Sequence, residues 1–270
     1  MANERYQLYG FNAEGLGTEE IPIEPQSGLQ ITNGHILDRI MSGAMLNTDL
    51  VVNRGKRVTC PMQCLAPGFI TDWTTYGYGG DPITGSMMIW NELLLNGNIS
   101  TVYKKLHSAQ GVMMPTSLTA TKEQRAVLSL DIIPLWDAGV LFTETLVGAE
   151  SFPVITEAYY LNKITVGGVD NAEVLDINVS WEWTIEQNEQ TEPVGIFYTR
   201  RQQNGTATIK DLSAISLAQL EAGGVQTITA TFTDESGAGS DIVINFSNCF
   251  VTATIDGDMA TLTWEQVNHA

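Results

Sequence analysis

Polar and apolar residues alternate along the second half of the chain, and the clearest run extends from Glu173 to Glu186. The apolar side of this run comprises Leu175, Ile177, Val179, Trp181, Trp183 and Ile185. The polar side comprises Asp176, Asn178, Ser180, Glu182 and Thr184. A period of two residues predicts a long β-strand with one buried face. A long strand with one face in water is typical of an antiparallel sheet.

The rest of the second half predicts a hairpin, one helix and four more strands. Residues 196–199 and 206–209 are prone to form strands, and the segment between them ends in Asn204-Gly205, which is a hairpin signal. Asp211 is placed to cap a short helix that ends at Gly223. The last four strands are predicted at Ile228–Phe232, Ile242–Phe246, Val251–Ile255 and Ala260–Trp264, with a turn at Asp256-Gly257 between the final two.

The first half is less regular. Residues 1–30 are polar with scattered glycine and proline, and we expect them to form an extended N-terminal arm. A basic turn, Asn53–Arg57, is predicted between two short β-prone runs. A long loop from Asp72 to Gly85 is rich in glycine and aromatic residues, which indicates a segment that contacts partners.

Strands are also predicted at residues 101–107, 126–135 and 140–147, whereas residues 86–95 fit a strand or a short helix. A boundary near Gly148–Pro153 divides the chain into an arm (1–30), a first β-rich domain (31–150) and a second (151–270). The predicted fold class is mainly β. We expect an antiparallel β-sandwich or barrel with one or two short helices, and two such domains in tandem are an option.

The charge of the chain is strongly negative and unevenly distributed. The 270 residues carry a net charge of −18, with 13 basic and 31 acidic side chains. Residues 1–135 contain 9 basic and 12 acidic side chains, against 4 and 19 in residues 136–270. An acidic surface repels DNA phosphates and anionic lipids, so capture of nucleic acid or of a membrane surface is not expected. The same surface can line a passage through which a polyanion moves without sticking.

Targeting and metal signals are weak. The first ten residues lack the basic and apolar regions of a signal peptide, and no run reaches the ~18 apolar residues of a membrane span. Cys60, Cys64 and Cys249 are too few and too uneven for a disulfide framework. Cys60 and Cys64 have a zinc-like spacing but lack a second ligand pair, so buried thiols are the favoured interpretation. We therefore expect no metal and no cofactor.

Catalytic signatures are also weak. The three histidines, His35, His107 and His269, lie outside every common hydrolase or metalloprotease motif. The glycines of Gly77–Gly80 are followed by neither a Lys-Ser/Thr pair nor a helix start, so they do not form a phosphate loop. Pairs of carboxylates are numerous, but no pair has a context that raises a pKa. The chain is not expected to be an enzyme.

The order of elements in residues 163–220 resembles that of phage tail tube (major tail) proteins. An early strand with a glycine turn, Ile164–Gly168, precedes the long strand Leu175–Ile185. Gly195–Tyr198, Asn204–Ile209 and the helix from Asp211 follow in the same order as in that family. The resemblance is one of architecture, and it covers less than half of the chain.

The resemblance implies a structural virion protein that is made in the host cytoplasm and placed in the tail. Its subunits would form stacked rings, trimeric or hexameric, around a channel for DNA ejection, and they would contact other tail proteins. Acidic residues on the polar face of the long strand are expected to face the lumen: Asp176, Glu182 and Glu186. Basic and aromatic residues are expected to contact neighbouring subunits: Arg54, Lys56, Arg57, Trp73, Tyr76, Tyr78, Arg200 and Arg201.

Alternative functions remain open at this point. A baseplate or distal-tail ring protein would share the same features. A β-sandwich module that binds a receptor or a carbohydrate would instead form a stable monomer or trimer with an exposed aromatic groove. A hydrolase with two carboxylates would require a deep acidic cleft.

Overall fold

The computed structural model describes residues 3–13, 17–22, 32–41, 48–64, 83–95, 98–147, 158–171, 173–187, 196–210, 225–234 and 241–267. These residues form β-strands and turns, and they contain no helix. The helix predicted at Asp211–Gly223 lies outside them. The prediction of a mainly β, antiparallel fold is confirmed.

Fifteen strands belong to the described segments. In the first half they are β1 (Asn3–Ala13), β2 (Gly17–Pro22), β3 (Thr32–Met41), β4 (Thr48–Cys64), β5 (Ile83–Leu95), β6 (Asn98–Thr121), β7 (Val127–Leu135) and β8 (Thr143–Val147). In the second half they are β9 (Tyr159–Val166), β10 (Val169–Asn171), β11 (Val174–Gln187), β12 (Ile196–Ile209), β13 (Val225–Asp234), β14 (Ile242–Asp256) and β15 (Met259–Gln266).

All these strands join in antiparallel pairs. The main path runs β10-β9-β13-β14-β15-β12-β11-β6-β5-β1-β2. Outside this path, β7 and β8 pair with β6, β4 pairs with β7, and β3 pairs with β4. β6 is the central strand, because it pairs with β5, β7, β8 and β11 along its 24 residues. The pairing of β6 with β11 links the strands of the two expected domains in one sheet.

The second half encloses the main hydrophobic core. Apolar side chains from β6, β7, β9 and β11–β15 form one buried cluster, with Trp264, Phe232, Phe246 and Met113 as its largest fully buried members. The sheet curls around this core, so that β9 approaches β6 and β11. The amide of Ala126 donates to the carbonyl of Tyr159 at 2.9 Å, and this contact fastens the β6–β7 turn to β9. The strands that the structure describes do not close into a continuous barrel.

β6 and β7 are buried on both faces where they pair. Met113 and Leu130 belong to the main core. Val112, Met114, Ile133 and Leu135 form a second buried cluster on the opposite face. Strands buried on both faces do not alternate between polar and apolar residues, which is why this region is hard to read from the sequence.

Two predicted turns are wrong. Residues 53–57 lie inside β4 and pair with β3, with a register shift at Ile36/Leu37. Residues 200–205 lie inside β12, and Asn204-Gly205 pairs with β11 and β15. Gly205 has another role there: a Cβ atom at this position would overlap the indole ring of Trp264, so the glycine leaves the space that the buried tryptophan occupies.

The other strand predictions are confirmed. β11 covers the alternating run from Val174 to Gln187, and Ile177, Val179 and Trp181 are buried. β13, β14 and β15 cover the four strands predicted near the C-terminus. β14 joins two predicted strands into one, and Asn248, with a φ of 56°, marks an irregularity between its two halves.

Some segments of the first half differ from the sequence prediction, and one lies largely outside the described residues. Residues 3–13 and 17–22, expected in the extended arm, form a β1–β2 hairpin, and β1 also pairs with β5. Residues 86–95 are strand, not helix, because they belong to β5. Most of the loop expected from Asp72 to Gly85 lies outside the described residues, and residues 83–85 begin β5.

Candidate functional site

Two of the acidic residues expected to face a lumen, Asp176 and Glu182, lie on the solvent-facing side of β11. Asp176 is half-buried and Glu182 is exposed, whereas Ile177, Val179 and Trp181 between them point into the core. The Asn204 Nδ2 donates to the Oε1 of Glu182 at 3.4 Å, from the neighbouring strand β12. Glu186 belongs to the same strand, but its side chain is outside the description.

The solvent-facing side of β11 continues across four neighbouring strands as in-register rows of small polar residues. The first row consists of Thr119, Asn178, Thr206, Thr263 and Thr252, on β6, β11, β12, β15 and β14. The second row consists of Thr121, Asp176, Thr208, Thr261 and Thr254 on the same strands. The third row consists of Ser117, Ser180, Asn204 and Glu265 on β6, β11, β12 and β15. We call these residues, together with Glu182, the polar face.

The geometry of the polar face follows from sheet dimensions. Neighbouring strands lie about 4.8 Å apart, and equivalent residues along a strand repeat about every 6.8 Å. All five members of the first row are exposed. The face therefore presents a regular layer of hydroxyl and amide groups to water.

The charges of the polar face are all of one sign. Asp176, Glu182 and Glu265 are acidic, and the rows contain no basic residue. The exposed large apolar side chains of the described residues are Val140, Val225, Val243, Phe250, Ile255, Met259 and Val267, and Phe250 continues the third row on β14. Phe250 flanks the face next to Glu265. The three rows thus offer hydrogen bonds to water but no cation for a phosphate, and the first basic residue beyond them on β12 is Arg201, opposite Trp183.

A second polar cluster lies on β9 and β10, away from the rows. The Asp170 carboxylate accepts hydrogen bonds from the Lys163 ammonium and the Thr165 hydroxyl, both at 2.6 Å. These hydrogen bonds, that of Lys163 first, hold the pKa of Asp170 below its ordinary value. Because both charged groups are exposed to water, the ion pair has little influence on stability. Gly167 and Gly168 form the tight turn between the two strands, with φ angles of 56° and 86°.

The residues expected at subunit contacts are spread over the molecule. Arg54, Lys56 and Arg57 lie on β4, and Arg200 and Arg201 lie on β12. Trp73, Tyr76 and Tyr78 fall outside the described residues. The structure therefore places residues 54–57 and 200–201 in strands rather than in turns. Only the backbone of these residues is described.

Within the described residues, no three His, Cys, Asp or Glu side chains come together as a metal site. Cys249 is a buried free thiol, and its burial raises its pKa to about 11. No helix in the same part of the chain has the length and apolar character needed to cross a membrane.

No protein-family model matches this chain, and no curated protein matches its sequence.

Sequence reasoning found two acidic residues of the polar face but missed the rows. The alternation in β11 placed Asp176 and Glu182 on the solvent side. The threonines of β12, β14 and β15 alternate with buried residues in the same way, which is a visible signal. What the sequence does not contain is the register that aligns them, because it depends on pairing between distant strands.

Proposed function

We propose that the chain is a structural virion protein that assembles into stacked rings, and that these rings form a phage tail tube through which DNA leaves the capsid. The observation that carries this proposal is the polar face: small uncharged polar residues in register across five strands, with acidic residues as its only charges. In the proposed assembly this face lines the channel.

A channel wall that carries no cations allows DNA to slide past it without binding. Duplex DNA carries a negative charge about every 1.7 Å, and proteins bind it by neutralising phosphates with Lys and Arg. A wall without cations gains no free energy from counterion release, and acids such as Asp176 repel the duplex. Threonine and asparagine keep the wall hydrated, so a water layer remains between protein and DNA.

The open sheet is consistent with assembly. Among the described strands, β2 and β10 end the path with only one partner each, and strand edges without a partner promote association with other chains unless they are covered. A ring places each edge against a neighbouring subunit, which removes the hazard of uncontrolled aggregation. An acidic net charge of −18 keeps the free subunit soluble until assembly.

The first test is negative-stain electron microscopy of the purified chain, together with light scattering at micromolar concentration. We expect rings or tubes with a central hole, and the ring symmetry will show how many copies surround it. A monodisperse monomer at every salt and protein concentration would contradict the proposal and favour a binding module.

The second test asks which face lines the hole. The double variant Asp176→Lys/Glu182→Lys reverses the charge of the polar face. Its tubes should retain short duplex DNA in a form protected from nuclease, whereas wild-type tubes should retain none. The control, Asp256→Lys/Asp258→Lys, makes the same change of charge at the exposed β14–β15 turn. Equal protection of DNA by both variants would exclude a lumenal role for the polar face.

A further inference from the structure

The turn between β14 and β15 projects beyond the strands that flank it. Residues 254–259 are all exposed, and Asp256 pairs with Met259. Among the described strands, β12 pairs with β15 only as far as Ala260, and β13 pairs with none of residues 251–256. We call residues 254–259 the hairpin tip. Within the described part of the chain, few contacts hold this tip closed.

The hairpin tip contains the sequence Asp256-Gly257, in which an aspartate is followed by the residue without a side chain. Gly257 has a φ of 63°, and a Cβ atom built on it would meet nothing within 4 Å. In a hairpin with a two-residue turn, the residues on either side of the turn exchange hydrogen bonds, so the amide of the first turn residue takes no part in the ladder. The Gly257 nitrogen is therefore accessible to the carboxyl group of Asp256, its neighbour in the chain.

An aspartyl side chain can react with the amide nitrogen that follows it in the chain. The nitrogen attacks the side-chain carbonyl carbon and a C–N bond forms, while the carboxyl group loses its hydroxyl and the amide its hydrogen as one molecule of water. The product is a five-membered succinimide ring. Water then adds to one of the two ring carbonyls and breaks its bond to nitrogen. Attack at the side-chain carbonyl restores aspartate, whereas attack at the main-chain carbonyl yields isoaspartate, so the sequence of steps needs no other reactant.

We propose that Asp256 is a site of spontaneous isomerisation, at which aspartate becomes isoaspartate through a succinimide formed with the Gly257 nitrogen. Glycine promotes the ring closure because no side chain hinders its nitrogen, and the exposed hairpin tip admits the water that opens the ring. The main chain then passes through the former side chain and gains one methylene group, so the two-residue turn closed by Asp256 and Met259 loses its geometry. The product is the type of residue that isoaspartyl methyltransferases recognise. The reaction requires neither assembly nor DNA, so it is independent of the proposed function.

A chemically more reactive pair in the same chain is protected by its position in the sheet. Asn204-Gly205 forms the same ring with loss of ammonia, and in unfolded chains asparagine before glycine reacts faster than aspartate before glycine. This pair lies inside β12, between β11 and β15, where the Gly205 amide belongs to the ladder. Reaction there requires the sheet to open, which occurs in roughly a thousandth of the molecules or fewer. The hairpin tip opens far more readily, so folding should invert the order of reactivity.

The test follows both pairs in the full chain, native and unfolded in guanidinium chloride, at pH 7 and 37 °C in water enriched in oxygen-18. Peptide mapping with electron-transfer fragmentation distinguishes isoaspartate from aspartate, and uptake of oxygen-18 marks a residue that has passed through the succinimide. In the unfolded chain, Asn204 should react first. In the native chain, the rate at Asp256 should stay within about tenfold of its unfolded value. The rate at Asn204 should fall by about a thousandfold or more.

Conservative variants of the hairpin tip identify the reacting group. Asp256→Glu keeps the charge but should abolish the reaction, because the longer side chain would have to close a six-membered ring, which forms far more slowly. The matched control, Asp258→Glu, makes the same change at the second turn residue and should leave the rate at residue 256 unchanged. Asp256→Asn should react faster than the wild type. Circular dichroism and thermal unfolding of each variant verify that the subunit is folded.

Three results would overturn the proposal. The first is a native chain in which Asn204 reacts and Asp256 does not, since the hairpin tip would then be the better protected of the two pairs. The second is isoaspartate at residue 256 without oxygen-18, because a succinimide cannot open without taking up water. The third is equal isomerisation at Asp256 and Asp258, since exposure alone, and not the glycine that follows Asp256, would then explain both.

Discussion

The contact between Gly205 and Trp264 allows a quantitative prediction. Trp264 is 1 % exposed, and its ring lies against the backbone of Gly205 on the neighbouring strand. A Cβ atom on residue 205 would overlap two carbon atoms of the indole and lie 2.7 Å from its Nε1. The indole has little room to retreat, because Phe246 packs on it with ring centroids 5.9 Å apart. The smallest side chain, alanine, therefore forces a rearrangement of the core.

The cost of Gly205→Ala can be divided into two opposing parts. Overpacking of a well-packed core costs about 1–3 kcal/mol. Replacing glycine by alanine inside a strand contributes about 0.5–1 kcal/mol in the favourable direction, since the unfolded chain loses freedom. We expect Gly205→Ala to destabilise the subunit by about 1 kcal/mol, the difference between the two parts. In the Trp264→Ala background, which by itself should cost about 3–5 kcal/mol, the same change should be neutral or stabilising.

The assay is urea unfolding of the four proteins of this double-mutant cycle, followed by far-ultraviolet circular dichroism under conditions that keep the subunit monomeric. We expect a coupling free energy of about 1–2 kcal/mol between the two positions. Equal midpoint shifts for Gly205→Ala with and without Trp264 would refute the reasoning. Such additivity would mean that the indole does not occupy the space next to residue 205.

Three further predictions follow from burial and charge. Trp181→Ala should destabilise the subunit by about 3–5 kcal/mol, because the side chain is 5 % exposed; an unchanged melting temperature would place it outside the core. Asp176→Lys/Glu182→Lys should fold with a melting temperature within about 3 °C of the wild type, since the polar face is solvated, and a larger fall measured by circular dichroism would contradict this. Cys249 should react with iodoacetamide at pH 8 only after unfolding, as mass spectrometry of its peptide will show, and labelling of the native subunit would contradict its burial. Because the folded state raises the pKa of this thiol from 9.0 to about 11, the stability that its neutral form contributes is complete below pH 9 and is lost as the pH rises towards 11.

The sequence predicted strands well where only one face is buried. In β14 and β15, and in the part of β11 up to Glu182, buried residues alternate with solvent-facing ones over most of the strand, and β13 departs from this at Thr231, which is buried between Ala230 and Phe232. β6 is different, because Val112, Met113 and Met114 are all buried and face two separate clusters. Its full length was not predicted, since its residues do not alternate and Gly111 and Pro115 interrupt the pattern.

The two wrong turns share a cause. Asn204-Gly205 is a strong local turn signal, but local preference was overruled by the tertiary contact with Trp264. The basic segment 53–57 pairs with β3, and the partner strand cannot be recognised from residues 53–57 themselves. Local signals report what a segment tolerates, whereas pairing depends on residues far away in the chain.

The sequence predicted part of the polar face, just as it predicted part of the fold. Asp176 and Glu182 were placed on the correct side of their strand by alternation alone. The threonines beside them come from four other strands, and their alignment is a consequence of the three-dimensional register. Arg200 and Arg201 were assigned to a turn, and only the strand pairing shows that they lie within β12, opposite Thr184 and Trp183 respectively.

The central position of β6 has a consequence for how the chain reaches its native state. At about 3.3 Å per residue, its 24 residues span about 80 Å, and one flank of its C-terminal end stays open until β11 has been synthesised. Contacts between segments so distant in the chain must form after a large loop has closed, which slows folding. During synthesis the unfinished sheet exposes apolar surface and unpaired backbone, and that surface promotes aggregation. Expression at low temperature, or together with chaperones that bind nascent chains, should therefore increase the yield of soluble subunit.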